Sequence, residues 1–206
     1  MINLAKHMIT ALSSVRLAPL IVLMFLSPNR GMIWADMDQF VARVDLTAWG
    51  GAPLQARNSF QRVLQFVAFM TWITEFRNVF YFRTGKPGIL LSILCRPMVS
   101  LHIESKMKVG PGFFVMHGDG TFVNAKRIGE NCRIWQQVTI GIEGTDSPTI
   151  GNNVTIYAGA KVVGKVSVGD NVTIAANSLV IKDVPSNVTV IGVPAVVVWK
   201  KQGSNE

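Results

Sequence analysis

The stretch that decides the fold is residues 150–180, IGNNVTIYAGAKVVGKVSVGDNVTIAANSLV. Aliphatic residues stand at Ile150, Ile156, Val162, Val168, Ile174 and Val180, a constant step of six. That period fits neither an α-helix, which repeats every 3.6 residues, nor an ordinary strand, whose side chains alternate. It fits a solenoid of short flat strands and tight turns, each anchor pointing into a central core. Small residues follow several anchors, as in Ile150-Gly151, Val168-Gly169 and Ile174-Ala175. They are read as admitting a turn conformation that a larger side chain resists.

Working outward, the same step recurs at Ile103, Val109 and Val115, and again at Ile128, Ile134 and Ile140. The fifth place of each hexad is apolar or small, as at Val138, Val154, Ala160, Val166, Val172 and Ser178. The phase breaks twice. Val115 and Ile128 are thirteen apart, one more than two steps, and Ile140 and Ile150 are ten apart. Insertions in a solenoid become bulges or loops on one face. Residues Ile142 to Thr149, with Gly144 and Pro148, are therefore expected to project. The anchors amount to about four coils.

Residues 1–100 read differently. Their texture is helical, with candidate helices at Leu4 to Phe25, Asp36 to Leu46 and Asn58 to Phe82, the last with Ser59 as a possible cap. A Gly85-Lys86-Pro87-Gly88 cluster breaks the pattern, and an apolar piece runs from Ile89 to Cys95. The organisation expected is a helical region at 1–100, a solenoid domain at 101–198 and a polar tail at 199–206. The chain has net charge +8. Residues 1–100 hold ten Lys/Arg against four Asp/Glu, net +6, and eight of those ten are Arg. Such an excess suits nucleic acid, anionic lipid or a phosphorylated ligand. No nucleic-acid motif accompanies it, so nucleic acid is not expected. The apolar runs Leu17 to Leu26 and Val63 to Ile73 are about half a membrane span. They read as buried core helices, with docking at the inner membrane surface as the alternative. Two cysteines and three histidines exclude a disulfide framework and make a metal centre improbable. Cys95 and Cys132 are expected to be reduced, buried thiols.

The repeat resembles the hexapeptide-repeat acyltransferases. That resemblance implies a mainly β fold, a left-handed parallel β-helix of about four coils preceded by an α-helical N-terminal region. It covers residues 101 to 198. Within that family the chain is similar to the serine O-acetyltransferase group through Lys108-Val109-Gly110, His117-Gly118-Asp119-Gly120 and Gln136-Gln137-Val138-Thr139-Ile140-Gly141. The similarity continues through Ala158-Gly159-Ala160-Lys161-Val162, Lys182-Asp183-Val184-Pro185 and Gly192-Val193-Pro194-Ala195. The segment Phe76-Arg77-Asn78-Val79-Phe80-Tyr81-Phe82-Arg83 looks more like the capsule and exopolysaccharide relatives.

The resemblance implies an acetyl-CoA-dependent O-acetyltransferase with His117 as general base. An imidazole suits that task near neutral pH, and a backbone N–H can hold the oxyanion. It also implies a homotrimer, a cytoplasmic location, no metal, and coenzyme A bound near Gly141, Ala158, Ala176, Ile181 and Lys182, between subunits. Lys200 and Lys201 are a further candidate phosphate contact or a solvated tail.

The serine site itself departs from the family's pattern. The residue before the catalytic histidine is usually Asp and is Met116 here. An Arg-His-Pro stretch of the projecting loop is replaced by Asp146-Ser147-Pro148. The Asp that orients the imidazole is replaced by His102. A free amino acid needs a cation for its carboxylate and an anion for its ammonium; with Asp146 in place of Arg and Met116 in place of Asp, the local charge pattern is wrong for one. The reading drawn is a saccharide hydroxyl as acceptor, with Asp119, Trp135, Asp146 and Ser147 lining its site. Trp135 is suited either to stacking on a sugar or to packing between subunits. His102, Glu104 and Asp119 are the candidates to orient His117. The alternatives are a serine O-acetyltransferase with a rearranged pocket, or a β-helix that serves as a scaffold.

Overall fold

The computed structural model describes residue 9, residues 12–44 and residues 58–200. Residues 4–8, 10–11 and 45–46 of the expected helices, and Lys201 with the rest of the tail, lie outside the described residues. The chain divides into two compact units, residues 1–98 and 99–206.

The first unit is helical: α1 (Ala18–Leu26), α2 (Arg30–Val41), α3 (Ser59–Trp72), α4 (Thr74–Thr84) and α5 (Lys86–Leu91), then a 3-10 turn at Ser92–Leu94. Helix α2 starts at Arg30, six residues before the expected Asp36. The expected helix over Asn58 to Phe82 is two helices, broken at Ile73 in extended backbone (φ −111°, ψ 100°). Arg77 explains how the break is held. Its guanidinium donates to the carbonyls of Met70 (2.7 Å) and Thr71 (2.6 Å), carbonyls at the end of α3 that no further helical turn satisfies. The cap of α3 is Asn58, which accepts from Gln61 N–H at 2.9 Å; Ser59 is the first helical residue.

The apolar runs at 17–26 and 63–73 send Leu17, Leu20, Met24, Phe66 and Phe69 into the core of this unit. Phe76 sits among Phe40, Phe66 and Phe69 with ring centroids 5.3 to 6.0 Å apart. Arg83 and Asp36 form an ion pair at 2.7 Å with both side chains buried, tying α4 to α2. Phe76 to Arg83 is thus explained by packing within a helical core. Among the described residues no helix is long and apolar enough to cross a membrane.

The second unit is a left-handed parallel β-helix made of short strands: β1 (Leu101–Ile103), β2 (Lys108–Val109), β3 (Phe114–Val115), β4 (Thr121–Val123), β5 (Arg127–Ile128), β6 (Arg133–Ile134), β7 (Thr139–Gly141), β8 (Thr149–Ile150), β9 (Thr155–Ile156), β10 (Lys161–Val163), β11 (Ser167–Val168), β12 (Thr173–Ile174), β13 (Leu179–Val180), β14 (Val188–Gly192) and β15 (Ala195–Lys200). They stack into three sheets, β1-β4-β7-β10-β13, β2-β5-β8-β11 and β3-β6-β9-β12-β14, with β15 added antiparallel to β14. The first sheet has five strands, so there are five coils where about four were expected. The fifth is hidden in the spacing because Val184 follows Val180 by four residues, although Val184 bridges to Val168 and Val190 pairs with Ile174. Strand β15 runs through Trp199 and Lys200, where the tail was expected to begin.

The glycines after Val109, Ile128, Ile150 and Val168 have a different cause from the one expected. Gly110, Gly129 and Gly151 stack at one corner. A Cβ on Gly129 meets backbone atoms of Gly151 at 2.6 Å, and one on Gly151 meets those of Gly169 at 2.8 Å. Close approach of successive coils excludes a side chain there. Positive φ falls two residues later, at Asn131, Asn153, Asn171 and Asn187. Asparagine tolerates this left-handed region better than most residues.

Candidate active site

The register locates the first phase break. Val115 pairs with Ile134, and Val123 pairs with Ile140. From Val115 to Val123 is eight residues, against six from Ile134 to Ile140. From Val123 to Ile128 is five, one short of a step, which leaves the net excess of one visible in the sequence. The two extra residues therefore lie in the turn holding His117, Gly118, Asp119 and Gly120.

That turn raises His117 out of the coil. The residue is exposed, with φ 50°, and its carbonyl accepts from Asp119 N–H at 2.7 Å. Thr121 N–H closes the turn onto the Gly118 carbonyl at 3.2 Å. Met116, half-buried, ends the strand geometry by donating to Ile134 O at 2.9 Å. The next row of the same sheet edge carries Trp135, Tyr157 and Ala175, which follow the paired anchors Ile134, Ile156 and Ile174. One residue further stand His117, Gln136, Ala158 and Ala176, with His117 displaced by its turn. His117, Ala158 and Ala176 are thus brought to one edge of the solenoid.

The other candidates lie elsewhere. His102 on β1 stacks on Phe122, ring centroids 4.8 Å apart and planes 7° from parallel. Its Nε2 is 4.0 Å from Glu104 Oε2. Glu104 accepts from Lys106 N–H and Ser105 Oγ, and those hydrogen bonds, the Lys106 one foremost, hold its carboxyl below the usual range. Asp119 accepts from Ser100 Oγ at 2.8 Å. Each candidate to orient His117 is engaged with another group. Among the described residues no hydrogen bond holds the His117 imidazole. Trp135 packs within the chain, 4.9 Å from the Tyr157 ring and 6.3 Å from Phe114. Asp146 pairs its backbone with Glu143 in a tight hairpin whose tip is Gly144-Thr145, and its side chain is exposed. Ser147 is half-buried at the hairpin's base.

Of the residues assigned to coenzyme A, Gly141 is buried at the end of β7, where its carbonyl accepts from Gly164 N–H at 3.2 Å. Ala158 is half-buried and Ala176 exposed, and Ile181 and Lys182 are exposed just after β13. Beside them lies a cleft of about 380 Å³ lined by Gln137, Gly159, Lys161, Asn177, Leu179 and Val193 among others. Gln137 falls in the motif from Gln136 to Gly141 but is not among the expected site residues, and neither is Asn177. Both stand three residues after an anchor with positive φ, a position marked by Gly159 in the coil between. Its wall combines the amides of Gln137 and Asn177, the Lys161 side chain and the apolar Leu179 and Val193. Among the described residues no group of three or more His, Cys, Asp and Glu is arranged to hold a metal ion.

Residues 147–182 match the family model described as "Bacterial transferase hexapeptide (six repeats)". The chain is 37% identical over 152 residues to the serine acetyltransferase of Synechococcus elongatus, covering 70% of this chain and 62% of that protein. It is 44% identical over 110 residues to the serine acetyltransferase of Synechocystis sp., covering 51% and 44% respectively. This chain therefore spans less than two thirds of the curated relatives it matches. Among solved structures, Neisseria gonorrhoeae serine acetyltransferase in complex with serine superposes with a TM-score of 0.62 at 24% identity, over 82% of this chain and 69% of that one.

These relatives overturn the saccharide reading and the capsule and exopolysaccharide resemblance. The charges changed at Met116 and Asp146 favour a neutral acceptor over an amino acid only if both positions bear directly on it. Asp146 and Ser147, however, lie on a hairpin added to the coil, and Met116 ends a strand. Replacements there leave the row of His117, Ala158 and Ala176 along the solenoid edge unchanged.

Proposed function

We propose that this chain is an acetyl-CoA-dependent O-acetyltransferase whose acceptor is the hydroxyl of serine or a closely similar amino acid, bound in a rearranged pocket. The observation that carries this is the 37% identity, over 70% of the chain, to a protein named serine acetyltransferase. The exposed His117 in its two-residue bulge supports it. In this reading His117 takes the hydroxyl proton as the oxygen attacks the thioester carbonyl. The C–S bond then breaks, and the imidazolium returns the proton to the departing sulfur. The rows at Ala158 and Ala176 and the cleft by Gln137 and Asn177 would hold the pantetheine arm, and the bound thioester supplies the acyl group. The working form in this proposal is a cytoplasmic homotrimer, in keeping with the resemblance to the family.

Thiol release from acetyl-CoA, followed with and without L-serine, tests the reading. Serine-dependent release is expected in the wild type, with kcat reduced about 10²–10⁴-fold in His117→Ala and coenzyme A binding retained. Release that ignores serine, or that survives the substitution, would sink it.

A further inference from the structure

The first unit carries a cleft that the acyl-transfer reading does not use. It has a volume of about 440 Å³ and is lined by Phe25, Arg30, Gly31, Trp34, Ser59 and Arg62. Its walls come from α1, α2 and the start of α3. Trp34 forms an aromatic wall, held edge-on by Phe25 with ring centroids 6.3 Å apart. The Arg62 guanidinium lies over the Trp34 ring, 5.2 Å from its centroid, and is anchored to Asp38 at 2.5 Å. A guanidinium at that height is attracted by the ring's quadrupole, so Arg62 is fixed in place. Its charge is balanced by Asp38. Arg30 is exposed, and among the described residues no hydrogen bond or ion pair engages its side chain. Gly31 leaves the space between open: a Cβ built there meets nothing within 4 Å.

We infer that this cleft binds a soluble organic phosphate bearing an aromatic ring. The phosphate is taken by Arg30, whose planar fork matches two phosphate oxygens, with Arg62 and the Ser59 hydroxyl on the opposite wall. The ring is taken by the face or edge of Trp34 beside Phe25. Arg30, exposed at the cleft with no ion pair among the described residues, offers its guanidinium to an anion. The adjoining aromatic wall gives no advantage to a bare one. The two requirements together set the ligand class.

The full chain is titrated calorimetrically with phenyl phosphate, inorganic phosphate and phenol in separate arms, all without coenzyme A, which itself carries an aromatic ring and phosphates. Phenyl phosphate is expected to bind at least about tenfold more tightly than either fragment. Arg30→Gln, an exposed change that leaves the melting temperature in place, is expected to weaken it about tenfold, and Trp34→Leu likewise. Arg16→Gln, on the surface outside the cleft, is expected to change nothing. Phenyl phosphate binding no better than inorganic phosphate, or binding unmoved by Arg30→Gln, would overturn the inference. A last arm uses vesicles containing phosphatidic acid. Capture by those vesicles with no response to phenyl phosphate would also overturn it, by assigning the anion to a lipid surface.

Discussion

His117 and Cys132 show opposite uses of one residue. The turn exposes His117, the accessibility that the proposed role of general base needs. Cys132 lies buried two residues before the Ile134 anchor, its thiol directed at the Gly151 carbonyl at 3.1 Å. Burial, the largest cause, pushes that thiol from 9.0 up to about 11. A raised value means the folded state prefers the protonated thiol. Its stabilising contribution is complete below pH 9 and is lost as pH rises through about 11. The urea midpoint is therefore expected to fall between pH 9 and 11, and Cys132→Ala to flatten that part of the profile, an effect of about 1–3 kcal/mol. An unchanged slope in the variant would show that another group sets the alkaline limit. Below pH 9 the wild-type thiol is expected to react with iodoacetamide only on unfolding.

Glycines do different work in the two kinds of element. In the solenoid, Gly129 stands where the next coil's backbone comes within 2.6 Å of any added Cβ. Backbone cannot rotate aside as a side chain tip can, so Gly129→Ala is expected to cost about 1–3 kcal/mol in chemical denaturation. Gly31, within α2 and facing open space, is expected to respond in the other direction, gaining about 0.5–1 kcal/mol as Ala. Equal effects at the two sites would refute the stacking account. The spacing of Ile128, Ile134, Ile150 and Ile156 was readable because each coil repeats one geometry. The turn at His117 was only half readable, since two added residues and one missing one leave a net of one. The break at Ile73 was hidden because a helix-compatible stretch is interrupted by a partner, Arg77, that acts through space. The engagement of His102 with Phe122 and of Asp119 with Ser100 likewise depends on tertiary contacts, which no spacing encodes.

A solenoid is a quasi-one-dimensional molecule, in which each coil is stabilised mainly by its immediate neighbours. The second unit makes this measurable through a run of asparagine amides along one corner. Asn153 donates to Asn171 at 3.1 Å, and Asn171 donates to Asn187 at 2.8 Å. All three hold positive φ, so replacement by Ala carries a similar backbone penalty at each, of about 1–2 kcal/mol. What differs is position. Asn171 takes part in both of these amide hydrogen bonds and joins the coils on either side, whereas Asn187 takes part in one and serves the final coil. Each bond contributes about 0.5–1.5 kcal/mol. Asn171→Ala is therefore expected to lower unfolding stability more than Asn187→Ala, by about the value of one bond. Because the central change weakens the link between two halves of the stack, it is also expected to broaden the denaturation transition, while the terminal change shifts the midpoint and keeps the slope. Identical losses at both positions, with unchanged slopes, would mean that the five coils unfold as a single block and that the ladder does not transmit stability along the axis.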